Sequence, residues 1–385
     1  MRTVPLQEIC DIQIGKTPSR SIAEYWGGEL PWVTISDFAT GRTVTTTKER
    51  ITQVGAEKSR SKLVPQGTLL LSFKLSIGKR AFAGCDLFTN EAIAALQVLD
   101  QRVAHREYLY WALGSIDYDR LVDHAAKGKT LNKAKLKVLQ IPLPPLAEQK
   151  RIAGILDAAD ALRAKRRESL AQLDTLLQST FLDMFGDPVT NPMGWEARLL
   201  ADFCKTGTGG TPSRRKMKRY YEGGTIPWVK SGELREEVIT ETDEHVTETA
   251  LKETSVKLVP KDALLLALYG ATVGRLGILG IEATTNQAVC HILPDMQAAN
   301  LAYTFHVLSN LVSYLVGRGV GGAQPNISQG IVKALAIPLP PLDLQHRFAT
   351  IVESVEQQKA SQRAHLAELD TLFASLQSRA FRGDL

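Results

Sequence analysis

The chain has 385 residues, 44% of them apolar, with 46 Lys/Arg against 41 Asp/Glu and a net charge of +5. That is room for two domains, each large enough to bury a core, in a chain of ordinary soluble composition. Cys10, Cys85, Cys204 and Cys290 form no C-x-x-C pair and show no metal-ligand spacing, which argues against a zinc module and for a reducing cytoplasm.

Met1 to Glu8 carries no apolar run of the kind a secretory leader needs. Next comes Gly15-Lys16-Thr17-Pro18-Ser19-Arg20, leading to Gly27-Gly28 and then Pro31-Trp32. Small polar residues, a fixed proline turn and nearby cations suit contact with phosphates or base edges, and equally suit a solvated turn that scaffolds the fold. Trp32 follows Pro and precedes a strand-like Val, the setting of a core residue more than of a stacking platform. Thr68 to Phe73 reads as a buried strand, and Lys74 to Arg80 as a turn with a polar tip. Arg106 to Tyr118 reads as a helix, and Lys127 to Asn132 as a loop. The string Pro142-Leu143-Pro144-Pro145-Leu146 then stops a strand and opens a long helix.

After Phe185-Gly186-Asp187-Pro188 the chain starts again. Pro227-Trp228, Lys257-Leu258-Val259-Pro260, Thr285-Asn286, Pro338 to Leu342 and Leu369-Asp370-Thr371-Leu372 repeat the first half at an offset of 195 or 196. The glycine loop returns as Gly209 to Arg214, followed by Arg215, Lys216, Lys218 and Arg219 around Tyr220 and Tyr221, a cluster that favours nucleic-acid contact. The turn returns as Tyr269 to Arg275, keeping residue type at Ser76/Thr272 and Lys79/Arg275. Two copies of a domain-sized unit, not many of a short one, imply a two-fold pseudo-symmetric protein that reads a target in two parts. Ala263 to Ile281 is the most apolar stretch, but Arg275 and four glycines interrupt it, so buried strands are expected and no membrane span.

Charge is uneven. Residues 1–147 hold 20 Lys/Arg against 14 Asp/Glu, while residues 193–342 hold 15 against 14. The first excess fits a polyanionic partner, although charge alone argues weakly.

The helices show a/d periodicity. The first offers Ile152, Ile155 and Leu162, then Leu170, Leu173 and Leu177. The second offers Phe348, Ile351 and Val355, then Leu366, Leu369, Phe373 and Leu376. Both stripes break near Arg166 and Gln362. Coincident breaks predict that the helices pack on each other, antiparallel under a two-fold. About 38 residues at about 1.5 Å each make a spacer of roughly 57 Å.

No H-E-x-x-H, G-x-S-x-G, dinucleotide fingerprint or adenine-methyltransferase tetrad occurs. Gly128-Lys129-Thr130 and Gly15-Lys16-Thr17 lack the first glycine of a phosphate-cradling loop. The chain is expected to perform no chemistry itself and to hold no metal or cofactor.

In its ordered duplicate motifs the chain resembles the specificity subunits of type I restriction–modification systems. The likeness rests on G-x-T-P-S leading to G-G-x-x-P-W in each half, on I-P-L-P-P-L-x-x-Q-x-R opening each long helix, and on the ending Ala380-Phe381-Arg382-Gly383-Asp384-Leu385. Asp384 stands where a Glu is more usual, and both variable units are short.

The resemblance implies an α/β fold: two pseudo-symmetric mixed α/β target-recognition domains, 1–146 and 188–342, separated by two long antiparallel coiled-coil helices, 147–187 and 343–385. It implies a bipartite, asymmetric double-stranded DNA target, two docked modification subunits that use S-adenosylmethionine to methylate adenine, and restriction/translocase subunits that use ATP and Mg.

Candidate DNA contacts are Lys16, Thr17, Ser19, Arg20, Lys74, Ser76, Lys79, Lys127 and Lys129 in the first half. In the second they are Thr211, Ser213, Arg214, Arg215, Lys216, Arg219, Lys230, Thr272, Arg275, Gln324 and Asn326. The alternative from another class is a self-sufficient DNA-binding regulator of a bipartite operator, without enzymatic partners.

Overall fold

Leu69–Ser72 and Leu264–Ala267 are strands without a polar face, and each lies at the centre of a five-stranded sheet. Covering both faces is what makes such runs uniformly apolar. The computed structural model describes residues 2–121, 123–125, 128–317 and 326–385. Contacts divide it into two compact units: residues 1–167 with 364–385, and residues 168–363.

In the first unit the sheet order is Cys10–Ile14, Ile93–Val98, Leu69–Ser72, Arg80–Ala83, Thr43–Val44, antiparallel except for the last pair. The helix Arg106–Gly114 covers one face, packing Leu109, Trp111 and Leu113 in one cluster with Ile12, Leu69, Leu71 and Leu96. Leu70, Ala81, Ile93 and Ala95 enter a second cluster with Val33, Val44 and Leu87. Each fully buried leucine contributes about 1.5–3 kcal/mol of transfer free energy, so both faces drive folding. Trp26–Val33, flanked by Glu49–Ile51 and Phe88–Thr89, forms a smaller sheet.

The second unit repeats this order with Cys204–Thr208, Val289–Pro294, Leu264–Ala267, Leu276–Leu279 and Val238–Ile239. Its covering helix is Leu301–Gly317. Within Ala263 to Ile281 the structure has the two strands the sequence predicts, and no helix among the described residues is long and apolar enough to cross a membrane. Cys10 and Cys204 open equivalent strands and are buried, and burial pushes both thiols up to about 12.

Each unit is closed by pairing its first strand with its last. Thr3–Pro5 lies antiparallel to Gln140–Pro142, and Ala197–Leu199 to Ala336–Pro338. The proline strings leave from these last strands, and buried glutamines fix where they go. Gln149 accepts from the His105 N–H at 2.8 Å and donates to the Val103 and Pro144 carbonyls at 2.9 Å. Gln345 accepts from the Asn300 N–H and donates to the Pro340 carbonyl, both at 2.8 Å. The Tyr108 and Tyr303 hydroxyls donate to the Pro142 and Pro338 carbonyls. Prolines cannot donate, so side chains from the covering helix satisfy carbonyls that a strand partner otherwise takes.

The long helices are Leu146–Phe185 and Leu342–Arg382. Gly186 and Gly383 end them at φ of 77° and 91°, a left-handed bend that only glycine adopts without strain. In the second unit Leu173 and Leu177 pack with Val352 and Val355, and Phe181 and Phe185 meet Phe348. In the first unit Arg163 pairs with Asp370, and Arg151 donates to the Leu385 carbonyl at 2.6 Å. Numbers rise along one helix as they fall along the other, so the packing is antiparallel in both units.

The seam departs from the predicted register. It runs Ile152, Leu156, Ala159, Arg163, Arg166, Leu170, Leu173, Leu177 on one helix and Phe348, Val352, Val355, Lys359, Gln362, Leu366 on the other, in steps of four and three. Leu162 is 54% exposed and Ile351 37% exposed, while Ile155 is only half-buried: these three were placed one residue out of phase. Beyond Leu177 the buried side chains are Phe181 and Phe185. The stripes do not break near Arg166 and Gln362. They continue through long side chains whose aliphatic stems pack, and the charged ends of Arg163 and Lys359 find partners.

Those partners obey the repeat. Arg163 Nε donates to Asp370 Oδ1 at 2.5 Å, and Lys359 Nζ meets Asp174 Oδ1 at 2.7 Å. Arg163 and Lys359 are equivalent positions, as are Asp174 and Asp370. Each cation is held a second time from its own helix, by Asp160 and by Glu356.

Candidate nucleic-acid interface

Two surface features recur in both units: the loop after Cys10–Ile14 or Cys204–Thr208, and the hairpin between the central strand and its neighbour. The loop begins with a glycine because nothing larger fits, since a Cβ on Gly15 or Gly209 would overlap the backbone of Thr89 or Thr285. Thr17 donates to Glu91, and Thr211 to Gln287. Trp32 and Trp228 are buried, as predicted for core residues, and each spends its indole N–H on the loop backbone: the Lys16 carbonyl and the Gly210 carbonyl, both at 3.0 Å.

The arginine that ends the loop closes it. Arg20 lies 3.9 Å from the centre of the Trp26 ring, and Arg214 lies 4.4 Å from that of Tyr221, close enough for cation–π attraction. Arg20 donates to Glu49 at 2.9 Å, and Arg214 pairs with Glu244 at 2.6 Å. Hydrogen bonding from Arg20 lowers the Glu49 carboxyl. Glu244 also receives Lys230, and the two cations, Arg214 first, bring it down to about 2. Arg20, Arg214 and Lys230 are therefore engaged by carboxylates of the same chain at its surface, and so is Arg219, which donates to Glu253 at 2.8 Å. Lys216 lies 3.5 Å from the Tyr220 hydroxyl. Ser19 pairs its hydroxyl with that of Ser21.

Lys16, Lys79, Arg215 and Arg275 differ from these. They are exposed and have no ion pair among the described residues. Ser76 and Ser213 are exposed too, and Thr272 is half-exposed. Lys74 is half-buried, its ammonium 5.5 Å from the Phe73 ring centre. The hairpin carrying Lys74, Ser76 and Lys79 is pinned at its neck, where the Ser72 N–H donates to the Lys79 carbonyl, the Lys79 N–H donates to Ser72 Oγ, and the Gly78 N–H donates to the Ser72 carbonyl. In the second unit the Gly274 N–H donates likewise to the Ala267 carbonyl. Asn326 is exposed in an isolated bridge position, and Lys129 lies in the short strand Gly128–Thr130. Lys127 and Gln324 lie outside the described residues.

The sequence missed Glu49 and Glu244, the carboxylates that set each loop's arginine. Trp26, the aromatic seat of Arg20, was missed as well, and Tyr221 was read only as a neighbour of the basic cluster, not as the seat of Arg214. An acidic residue about 30 positions beyond the arginine in both halves is a signal that the duplication offers but local motif reading does not.

Residues 1–173 and 192–371 both match the type I restriction modification DNA specificity domain. The chain belongs to this family and carries two copies of its domain. It is 25% identical, over 99% of its own length and 92% of the relative's, to the type I restriction enzyme MjaIX specificity subunit of Methanocaldococcus jannaschii. Its fold resembles a structure solved for complex assembly and conformational transition of the type I R-M system, with TM-score 0.60, 20% identity and coverage of 100% of this chain and 98% of that one. It also resembles the S subunit from M. genitalium, with TM-score 0.57, 15% identity and coverage of 98% and 95%.

Proposed function

We propose that this chain is the DNA specificity subunit of a type I restriction–modification complex. Each unit reads one half of a bipartite, asymmetric double-stranded DNA target, and the helices that run from one unit into the other act as the spacer between half-targets. The observation that carries this is the duplication itself: the same sheet order, pinned hairpin and aromatic-seated loop occur in both units, with different side chains at the exposed positions. A shared scaffold with divergent tips is what reading two different DNA sequences requires.

Binding strength comes from exposed cations near the loops and hairpins, chiefly Lys16, Lys79, Arg215 and Arg275, acting on phosphates. Base identity comes from polar groups such as Ser76, Thr272 and Ser213. Arg20, Arg214, Arg219 and Lys230 serve mainly to shape the loops, and Lys74, Thr17, Thr211 and Lys216 flank the reading surface. The remaining candidates, Ser19, Lys127, Lys129, Gln324 and Asn326, belong to the same proposed surface.

The chain docks two copies of one adenine-methylating modification subunit, joined by restriction/translocase subunits. S-adenosylmethionine, ATP and Mg belong to those partners, and the work is cytoplasmic. Leu176 and Leu372 support symmetric docking: they occupy equivalent positions in Leu-Asp-Thr-Leu and are 47% and 50% exposed. Leucines that the seam does not use, repeated at equivalent places, suit two identical partners.

The test is to map methylated adenines in host DNA with and without this gene, and to measure binding to the resulting motif with and without the cognate modification subunit. Loss of one bipartite motif on deletion supports the reading. A chain that binds its site tightly and ignores the modification subunit is instead a self-sufficient regulator.

A further inference from the structure

The hairpin joining Leu69–Ser72 to Arg80–Ala83 holds a side chain that the fold does not use. Leu75 has a φ of 62° and is 68% exposed, the largest exposure of any large hydrophobic among the described residues. A left-handed backbone disfavours every residue with a Cβ, and an exposed leucine gains nothing from burial. The second unit places Gly270, φ 84°, at the corresponding bend. Both hairpins therefore need the bend, but only one carries a leucine on it. Strain at an exposed tip points outward, to something the side chain meets.

The tip is held firmly. Ser72 Oγ accepts from the Lys79 N–H at 3.0 Å and donates to the Ser76 carbonyl. Beneath it the Arg80 guanidinium donates to the Gly78 carbonyl at 3.3 Å and stacks 4.7 Å from the Tyr110 ring centre. Lys74, Ser76 and Lys79 surround Leu75, so an apolar point stands in a polar, cationic ribbon. A two-stranded ribbon fits the DNA major groove, and the apolar feature that base edges present there is the thymine 5-methyl group.

We propose that Leu75 is a specificity-determining residue of the first unit, packing on the 5-methyl group of a thymine in its DNA half-target. This rests on the DNA-reading function proposed above. The probes are duplexes carrying the methylation motif found by genome mapping, with each thymine of the first half-target replaced in turn by deoxyuridine. They are bound by the full chain assembled with its modification subunits.

One thymine-to-uracil change is expected to weaken wild-type binding about five- to tenfold, the scale of one lost apolar group. Leu75→Gly is expected to bind the parent duplex weaker by the same factor and to be indifferent to that change. Because glycine suits this φ, Leu75→Gly is expected to melt no earlier than the wild type, which separates lost reading from lost folding.

A Leu75→Gly complex with unchanged affinity and unchanged thymine sensitivity overturns the inference, as does a first half-target without an A·T pair. So does a variant that reads DNA normally but assembles poorly with modification subunits, since that would make Leu75 a protein contact. If the wild-type complex shows no sequence-specific, salt-dependent binding at all, the proposed function itself fails, and Leu75 with it.

Discussion

The two units share the strand order of their five-stranded sheets and the closing pair of first and last strands, yet differ at many of the side chains mounted on that frame. At the middle of the covering helix the first unit has Trp111, which donates to Asp157 at 2.7 Å. The second has His306 at the same place, stacked near Phe181 and edge-on to Phe348. At the hairpin bend one has Leu75 and the other Gly270. At the helix seam one has Arg163, stacked 4.3 Å from the Phe373 ring centre, and the other has Lys359, 7% exposed. The comparison teaches that backbone hydrogen bonds and close-approach glycines hold the repeat together, while side chains at equivalent places change size and partner.

The largest expected effect tests the seam. Leu173 is 9% exposed and its equivalent, Leu369, is half-buried. Leu173→Asp buries a carboxylate without a partner and should cost about 3 kcal/mol or more, and Leu369→Asp clearly less. Chemical denaturation of the full chain measures both, and equal losses would erase the asymmetry. Partner assembly and DNA specificity should fall in the same order.

Next, Arg163→Met should cost about 1–2 kcal/mol, because it removes a cation shared by Asp160 and Asp370 and seated on Phe373. Lys359→Met should be nearly neutral or stabilising, since it replaces a buried ammonium whose partner Asp174 is 65% exposed and can return to water. Melting curves of the two variants separate these outcomes.

Acid should distinguish the units as well. Burial, and then the Lys359 charge, bring the His306 imidazole from 6.5 down to about 4. The folded state thus favours the neutral ring. As pH falls from about 6.5 to about 4, the unfolded chain takes up a proton that the fold refuses. The stability this ring contributes is complete above that window and lost across it, at up to about 1.4 kcal/mol per pH unit. Hydrogen exchange corrected for intrinsic rates should show the second unit loosening while the first, with Trp111, is spared this term. His306→Phe should shrink the difference, leaving what His291, also lowered by burial and then by Lys257, contributes.

The smallest effect concerns the loops. Arg20→Ala strands Glu49, whereas Arg214→Ala leaves Glu244 its Lys230, so the first should cost more, though both stay within about 1 kcal/mol because these pairs face solvent. Thermal denaturation resolves that order if it is real.

Much of this frame was legible in the sequence, because duplication marks each scaffold position twice. The Pro-Trp pairs, the glycine loops and the apolar central strands all fell where their chemistry implied. The helix seam was read one residue out at Ile155, Leu162 and Ile351, because apolar periodicity passes over an arginine or lysine whose stem packs and whose charge is paired. The loop arginines looked like free cations, because Glu49 and Glu244 are remote in sequence. What closes a surface charge is a tertiary fact, invisible to local motif reading.

The glutamine latches at the start of the long helices have a consequence for inheritance. Gln149 and Gln345 are satisfied wholly by main-chain atoms, so this latch asks nothing of the lobe's side chains. A genetic crossover within the proline string would hand one lobe to a new rod with this main-chain latch already correct. Novel pairings of half-specificities can then arise in a single exchange, with only side-chain contacts such as Trp111 to Asp157 left to match.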